Sequence, residues 1–135
     1  MKYREMGDLD VEVSALGFGA MRLPKNSDDS ADIDEEEAIK MIRHAIDNGV
    51  NYVDTAWPYH EKQSEYVVGK ALKDGYREKT YLATKLPVWE VEKEEDLDRL
   101  LNKQLEKLQV DKIDFYLLHA LSAERWEKVQ KFNMI

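Results

Sequence analysis

Apolar residues recur with a helical period in three stretches of the chain. The first predicted helix begins at Asp34, an N-cap with Glu37 three residues on, and ends before Gly49. The second begins at Ser64, and a short fourth helix begins at Ser122 and runs to about Phe132. The apolar faces of the first three helices are Ala38, Ile39, Ile42, Ala45 and Ile46; Val67, Val68, Ala71 and Leu72; and Leu97, Leu100, Leu101, Leu105 and Leu108.

Short apolar runs of strand length alternate with these helices. They lie at residues 15–21, 51–54, 80–85 and 113–118. A loosely alternating segment before them predicts a hairpin of residues 3–6 with residues 10–13 around the turn pair Gly7-Asp8. The alternation of strand and helix predicts an α/β domain with a parallel sheet, and we treat residues 1–135 as this single domain.

Composition narrows the class of protein. The chain has 135 residues, 43% of them hydrophobic, which suits one domain with one core. Its net charge of -8 argues against a nucleic-acid partner, and its 0 cysteines leave no thiolate ligand for a metal or an iron–sulfur cluster. No stretch has the length of a signal peptide's apolar region or of a membrane span, so we expect no membrane contact and a cytoplasmic protein.

Three successive strands end on ionisable residues, namely Asp54, Lys85 and His119, and Tyr59 follows the first of them by five positions. Taken singly, each has an ordinary structural explanation: a backbone cap, a lysine on the rim, a core histidine and an exposed aromatic residue. Consecutive parallel strands lie side by side, so their carboxyl ends should bring all four residues together. The joint occurrence therefore predicts an active site.

These four residue types can move a proton to a carbonyl oxygen. A tyrosine hydroxyl in water releases its proton only near pH 10, and a neighbouring ammonium makes release easier. Asp54 would supply the counter-ion of Lys85, Tyr59 would donate the proton, and His119 would orient the oxygen. No side chain carries hydride, so reduction requires a cofactor.

The fold class follows from the same pattern. The first helix is not opened by a phosphate loop or by G-x-G-x-x-G, which leaves a Rossmann fold poorly supported. A (β/α)8 TIM barrel fits better, although such barrels have about 250 residues and this chain supplies four of the eight units. We therefore predict a half barrel, in which two strand edges lack a partner and can pair with a second copy of the chain.

Several motifs resemble those of the aldo-keto reductase family. They are Leu16-Gly17-Phe18-Gly19-Ala20-Met21, Gly49-Val50-Asn51-Tyr52-Val53-Asp54-Thr55-Ala56, Ser64-Glu65 with Val68-Gly69-Lys70-Ala71-Leu72, Ala83-Thr84-Lys85, and Asp114-Phe115-Tyr116-Leu117-Leu118-His119. The resemblance extends to about Lys128 and is most similar to a prokaryotic branch that often continues into a ferredoxin-like segment, which is not present here.

The resemblance implies a (β/α)8 barrel that reduces small aldehydes and ketones with NADPH, or less often with NADH. It implies Asp54, Tyr59, Lys85 and His119 as the catalytic set. It further implies cofactor contacts from Gly19, Ala20, Met21 and Asp54, a substrate pocket lined by Trp57 and Trp89, and no metal. In the family the later strands bind most of the cofactor, so we expect this shortened chain to have little activity alone.

The sequence departs from the family pattern at two places, and two other functions remain as alternatives. Glu61-Lys62-Gln63 lacks the usual glycine, and Trp57 replaces a more common Tyr or Asn. Lys85 could instead be the Schiff-base nucleophile of an aldolase. The chain could also be a non-catalytic cofactor-binding or regulatory module, or a pseudoenzyme. The physiological substrate, the NADP or NAD preference and any continuation past Ile135 cannot be derived from these residues.

Overall fold

A computed structural model describes residues 1–135, and its secondary structure alternates as the sequence predicts. The strands are β1 Tyr3–Glu5, β2 Glu12–Ser14, β3 Phe18–Gly19, β4 Tyr52–Asp54, β5 Tyr81–Leu86 and β6 Phe115–Leu118. The helices are α1 Glu35–Asp47, α2 Ser64–Ala71, α3 Glu95–Leu108 and α4 Ala123–Lys131, with short 3-10 turns at Arg77–Lys79 and Val88–Glu90. No helix is both long and apolar enough to cross a membrane.

Strands β3 to β6 form one parallel sheet in the order of the chain. In its register Gly19 lies beside Asp54, Asp54 beside Ala83, and Lys85 beside Leu117. The carboxyl ends of the four strands therefore lie at one edge, as the sequence predicts. This edge carries the candidate site.

The two outer strands of the sheet are less covered than the apolar sequence runs suggest. The first run was predicted as a strand over residues 15–21, but only Phe18–Gly19 pairs, and Leu16 and Met21 are 62% and 56% exposed. In β6, Tyr116 and Leu117 are 39% and 41% exposed, although both faces were predicted to be covered. The exposure has the same cause at β3 and β6, because each is an outer strand of the sheet and has a neighbouring strand on one side only.

The hairpin lies at the opposite end of the sheet from the carboxyl ends. Strands β1 and β2 pair antiparallel with Tyr3 opposite Ser14, so the second strand begins later than predicted. The Asn51 side chain joins the hairpin to the start of β4: its Oδ1 accepts from the Ser14 N–H at 2.7 Å, and its Nδ2 donates to the Glu12 carbonyl at 2.9 Å. The hairpin therefore contributes no residue to the site.

Helices α1 and α2 pack on the sheet around a core of 13 buried apolar residues. Members of this core include Ile42, Val53, Val68, Leu82 and Leu108, all 0% exposed. Each such side chain stabilises the fold by about 1.5–3 kcal/mol through burial. Asp34 caps α1 as predicted, because its carboxylate accepts from the Glu37 N–H at 3.1 Å.

Two helix starts differ in how well the sequence predicts them. The Ser122 hydroxyl caps α4 as expected by accepting from the Arg125 N–H. Ser64, predicted as the cap of α2, instead donates its hydroxyl to the Ala20 carbonyl at 2.9 Å and lies 2.9 Å from the Thr55 hydroxyl. A fully buried hydroxyl needs a hydrogen-bond partner inside the fold, and here that partner is the carbonyl of the residue that follows β3.

Candidate active site

Asp54 and Lys85 form an ion pair at the carboxyl edge of the sheet. The Lys85 ammonium donates to both oxygens of Asp54 at 2.7 Å and to the Thr55 carbonyl at 2.8 Å. Their side chains are 15% and 29% exposed for lysine and aspartate, so the pair is sheltered but not sealed from water. The two residues stand on neighbouring strands, and the parallel register fixes their spacing.

Tyr59 completes a contiguous group with this pair. Its hydroxyl lies 3.3 Å from Lys85 Nζ, and the ammonium lies 4.9 Å from the ring centroid. The loop that follows β4 carries Tyr59 and contains a turn in which the Tyr59 N–H donates to the Ala56 carbonyl. The carboxylate, the ammonium and the phenol therefore form one continuous chain of polar contacts.

His119 lies at the end of β6 on the other side of Tyr59. The two rings meet edge to face with centroids 5.9 Å apart, and the Trp89 ring lies 5.2 Å from the His119 centroid. Burial lowers the pKa of the His119 imidazole below its usual value, and the Lys85 ammonium lowers it further. Its Nδ1 is buried and has no hydrogen-bond partner. The imidazole is therefore favoured in its neutral form and keeps one polar atom available.

The residues predicted to contact a cofactor lie on β3 and just after it. Gly19 pairs beside Asp54, and the space above its Cα is open, with no atom within 4 Å of an added Cβ. The Ala20 N–H donates to the Asp54 carbonyl at 2.8 Å, while Met21 is 56% exposed. This segment therefore offers open backbone beside the Asp54 carboxylate.

The two tryptophans predicted to line a pocket have different surroundings. Trp89 is half-buried against His119, and the Arg125 guanidinium lies 5.3 Å from its ring centroid. Trp57 is only 9% exposed and belongs to a second apolar cluster with Leu86 and Leu100. The pocket role of both residues stays a prediction, and Trp89 is the one whose ring lies beside the candidate catalytic group.

A surface cavity close to the candidate catalytic group includes none of Asp54, Tyr59, Lys85 and His119. It measures about 720 Å³ and lies between the Trp89 turn and α4, where Glu124 and Lys128 form part of its wall. No group of three or more His, Cys, Asp or Glu side chains is arranged to hold a metal ion. The site therefore remains a candidate defined by the contacts around Tyr59 rather than by this cavity.

A buried polar network on the other face of β5 was not predicted from the sequence. Glu65, at 0% exposure, accepts from Lys107 at 2.7 Å, from Thr84 at 2.8 Å and from Gln104. Gln104 also donates to the Lys85 carbonyl at 3.2 Å, and the Tyr116 hydroxyl donates to Gln104 Oε1 at 2.7 Å. The network thus holds the backbone of the strand that carries Lys85.

The sequence contains a signal for this network. Gln104 lies four residues after Leu100 and four before Leu108, which places an amide on the apolar face of α3. Glu65 lies three residues before Val68 on α2 in the same way. Polar residues at inward helical positions indicate partners inside the fold.

Burial raises the pKa of the Tyr116 phenol, and the Glu65 charge raises it further.

Comparison with known proteins assigns the family. The sequence model of the Aldo/keto reductase family matches residues 15–126. The chain therefore belongs to this family of oxidoreductases, whose (β/α)8 barrel accounts for the parallel half barrel described above.

The similar proteins include aldo-keto reductases from several bacteria. "Aldo-keto reductase YhdN" of Bacillus subtilis is 35% identical over 130 residues, which cover 88% of this chain and 38% of that protein. The holo form of aldo-keto reductase AKR11C1 from Bacillus halodurans superposes with a TM-score of 0.75 at 31% identity, covering 97% of this chain and 47% of that one.

A third relative was solved with a nucleotide bound. The aldo/keto reductase from Klebsiella pneumoniae, in complex with NADP and acetate, has a TM-score of 0.68 at 30% identity. The match covers 89% of this chain and 41% of that one. The chain thus spans less than half the length of each of these three relatives.

Proposed function

We propose that the chain carries the proton-transfer site of an NADP(H)-dependent carbonyl reductase that acts on aldehydes and ketones. The observation that supports this most strongly is the Lys85 ammonium, which lies between the Asp54 carboxylate and the Tyr59 hydroxyl. A carboxylate, an ammonium and a phenol in contact form a proton-donating group. Membership of an oxidoreductase family agrees with that chemistry.

Tyr59 is the general acid in this proposal. Its hydroxyl donates a proton to the substrate oxygen as negative charge develops there, and the adjacent Lys85 ammonium stabilises the phenolate that remains. Asp54 holds the ammonium in place by accepting two of its hydrogen bonds. The neutral His119 imidazole orients the carbonyl oxygen beside Tyr59.

The residues of β3 fit a nicotinamide cofactor. Gly19 leaves open space above the backbone, and Met21 is exposed next to it, so a flat ring could approach the Asp54 edge. We propose NADPH as the cofactor, with NADH as the less common choice, and contacts from Gly19, Ala20, Met21 and Asp54. When bound, such a cofactor supplies the hydride that no side chain can supply.

The arrangement of Lys85 disfavours an aldolase. A Schiff base requires a free amine lone pair to attack a carbonyl carbon. The Lys85 nitrogen instead donates to both oxygens of Asp54, to the Thr55 carbonyl and to the Tyr59 hydroxyl, and these four acceptors favour the ammonium over a free amine. A non-catalytic cofactor-binding module would keep the same geometry, so only turnover separates it from the reductase.

We also propose that the isolated chain turns over slowly. It spans 38% of the length of its Bacillus subtilis relative, and both outer strands of its sheet have an unpaired edge. Such edges favour pairing with another chain. We therefore expect self-association, which light scattering at several protein concentrations would reveal; a concentration-independent monomer would contradict it.

The test is the oxidation of NADPH with 4-nitrobenzaldehyde as a carbonyl probe, followed by absorbance at high protein concentration. Tyr59→Phe should lower the rate by about 10²–10⁴-fold or to background, because the proton donor is lost. Tyr81→Phe, at the start of β5, is the matched control and should retain the rate. Equal rates for Tyr59→Phe and the unaltered chain would contradict the proposal.

A further inference from the structure

His60 is a buried histidine that none of the chemistry above uses. It directly follows Tyr59 and is only 6% exposed. Both of its ring nitrogens bind backbone groups of the loop between β3 and α1: Nε2 lies 2.8 Å from the Leu23 nitrogen, and Nδ1 lies 2.8 Å from the Ser30 oxygen.

The two partners of His60 fix its protonation state. A backbone N–H only donates, so Nε2 must accept from Leu23. A backbone carbonyl only accepts, so Nδ1 must carry the hydrogen that it donates to Ser30. The ring is therefore the neutral Nδ1–H tautomer. The two bonds join the Tyr59 loop to residues 37 and 30 positions away in the chain.

The Tyr59 loop needs such external support. His60, Glu61 and Lys62 all have left-handed backbone conformations, with φ of 51°, 50° and 73°. None of them is glycine, and a left-handed residue with a side chain costs about 1–2 kcal/mol. Three in succession persist only where surrounding contacts hold them. The His60 ring supplies two of those contacts within the fold.

A second contact lies close to the His60 bonds. The Ser64 hydroxyl donates to the Ala20 carbonyl at 2.9 Å, three residues before the Leu23 N–H that His60 accepts. The segment from Ala20 to Leu23 is therefore attached to the Tyr59 loop at both ends. Between these attachments lies Met21, the exposed residue proposed to contact the cofactor.

We infer that His60 is a positioning residue that holds the Tyr59 hydroxyl at Lys85 and fixes its spacing from the Met21 segment. The inference rests on the proposed role of Tyr59 as general acid. His60 reaches no reacting atom itself, since both ring nitrogens are bonded to backbone. Its neutral ring acts through the backbone of the residue that precedes it.

Three substitutions separate the two bonds. His60→Gln places an amide oxygen where Nε2 accepts, so it can keep the Leu23 bond. His60→Asn places its amide where Nδ1 donates, so it can keep the Ser30 bond, and asparagine tolerates a left-handed backbone. His60→Phe removes both bonds. His44→Gln, on the exposed face of α1, is the matched control.

The experiment is NMR spectroscopy of the full chain with labelled tyrosine, histidine and leucine, in which a Tyr59→Phe spectrum assigns the Tyr59 ring signal. The unaltered His60 should show the Nδ1–H tautomer. In His60→Phe and His60→Asn we expect the Leu23 amide to exchange about five- to tenfold faster, since a buried hydrogen bond is lost. The Tyr59 ring signal should move in both variants and return towards its original position in His60→Gln.

Two results would overturn the inference. One is a Leu23 amide that stays protected in His60→Asn. The other is a Tyr59 signal that keeps its position in His60→Asn while the Leu23 amide exchanges faster, which would make His60 a support of the β3–α1 loop alone. His60→Asn carries the test if His60→Phe does not fold. None of these signals requires turnover, so a chain without reductase activity would contradict the proposed function and leave this result standing.

Discussion

Two lysine–carboxylate pairs lie on opposite faces of strand β5, and they have different roles. Lys85 and Asp54 form the pair at the candidate site, while Lys107 and Glu65 form the pair behind it, and both have a nitrogen–oxygen distance of 2.7 Å. In the site pair the Lys85 and Asp54 side chains are 15% and 29% exposed. In the other pair the Lys107 and Glu65 side chains are 3% and 0% exposed. Distance alone therefore does not distinguish them; burial and the remaining partners do.

The alternation of side chains along β5 produces this difference. Thr84 and Lys85 are successive residues and point to opposite faces of the sheet. The Thr84 hydroxyl donates to Glu65 on the helix-covered face, and Lys85 reaches Asp54 on the other. On the helix-covered face the charges of Glu65 and Lys107 are paired within the fold, while the other face has a phenol and an imidazole beside the ion pair. The first arrangement suits stability and the second suits chemistry.

The largest expected effect is on the helix-covered face. Lys107→Met leaves the Glu65 carboxylate buried without its ammonium, and we expect the free energy of unfolding to fall by about 3–5 kcal/mol. Urea denaturation measures this loss. Lys40→Met is the matched control, because the Lys40–Glu36 pair is 64% and 84% exposed and should contribute within about 0.5 kcal/mol. Similar losses in the two variants would contradict the contrast.

The second effect separates chemistry from stability at the site pair. Lys85→Met should abolish any Tyr59-dependent turnover, because the ammonium beside the phenol is lost. Its cost in unfolding free energy should be only about 1 kcal/mol, since the abandoned Asp54 carboxylate remains partly hydrated. Parallel rate and urea measurements check both. A loss of stability as large as that of Lys107→Met would remove the distinction between the two faces.

A pair of tyrosines sharpens the comparison further. Tyr116→Phe removes the hydroxyl that donates to Gln104 at 2.7 Å, and we expect a loss of about 1 kcal/mol in unfolding free energy with turnover retained. Tyr59→Phe should show the opposite result, with stability retained and turnover lost. Thermal unfolding and NADPH oxidation measured on both variants decide this. A loss of turnover in Tyr116→Phe would assign a catalytic role to the helix-covered face.

The smallest effect concerns pH. The pKa of His119 is lowered in the folded chain, chiefly by burial, from its ordinary 6.5. As the pH falls below about 6.5, His119 takes up a proton more readily in the unfolded chain than in the folded chain, which favours unfolding. The stability that depends on a neutral His119 is therefore fully present above about pH 6.5 and is lost as the pH falls below it. His119→Gln should therefore lose less stability than the unaltered chain between about pH 7 and pH 5.5. Identical pH profiles from urea denaturation would contradict the assignment.

The sequence predicts the residues whose position depends on strand order alone. Asp54, Lys85 and His119 each lie within one residue of the carboxyl end of a strand, and a parallel sheet in chain order brings such residues together. Asp34 and Ser122 were predictable as caps because their partners lie three residues away. These inferences require only local pattern and topology.

The remaining features depend on partners distant in sequence. Ser64 is a residue type that commonly caps helices, but its hydroxyl donates to the Ala20 carbonyl, 44 positions away. Gln104 lies on the apolar face of α3 and Lys107 resembles a surface residue, but their shared partner Glu65 is brought against them only by the packing of α2. The two His60 bonds likewise depend on the path of the β3–α1 loop. A pattern of apolar positions does not specify such contacts.

The account depends most on the claim that the Lys85 face of the sheet binds the cofactor. An NADPH titration followed by tryptophan fluorescence tests it directly, because the Trp89 ring lies 5.2 Å from His119 whereas Trp126 is 40% exposed on α4. We predict saturable quenching that persists in Trp126→Phe and is reduced in Trp89→Phe. Absence of a saturable response, or a response that disappears in Trp126→Phe instead, would contradict the claim.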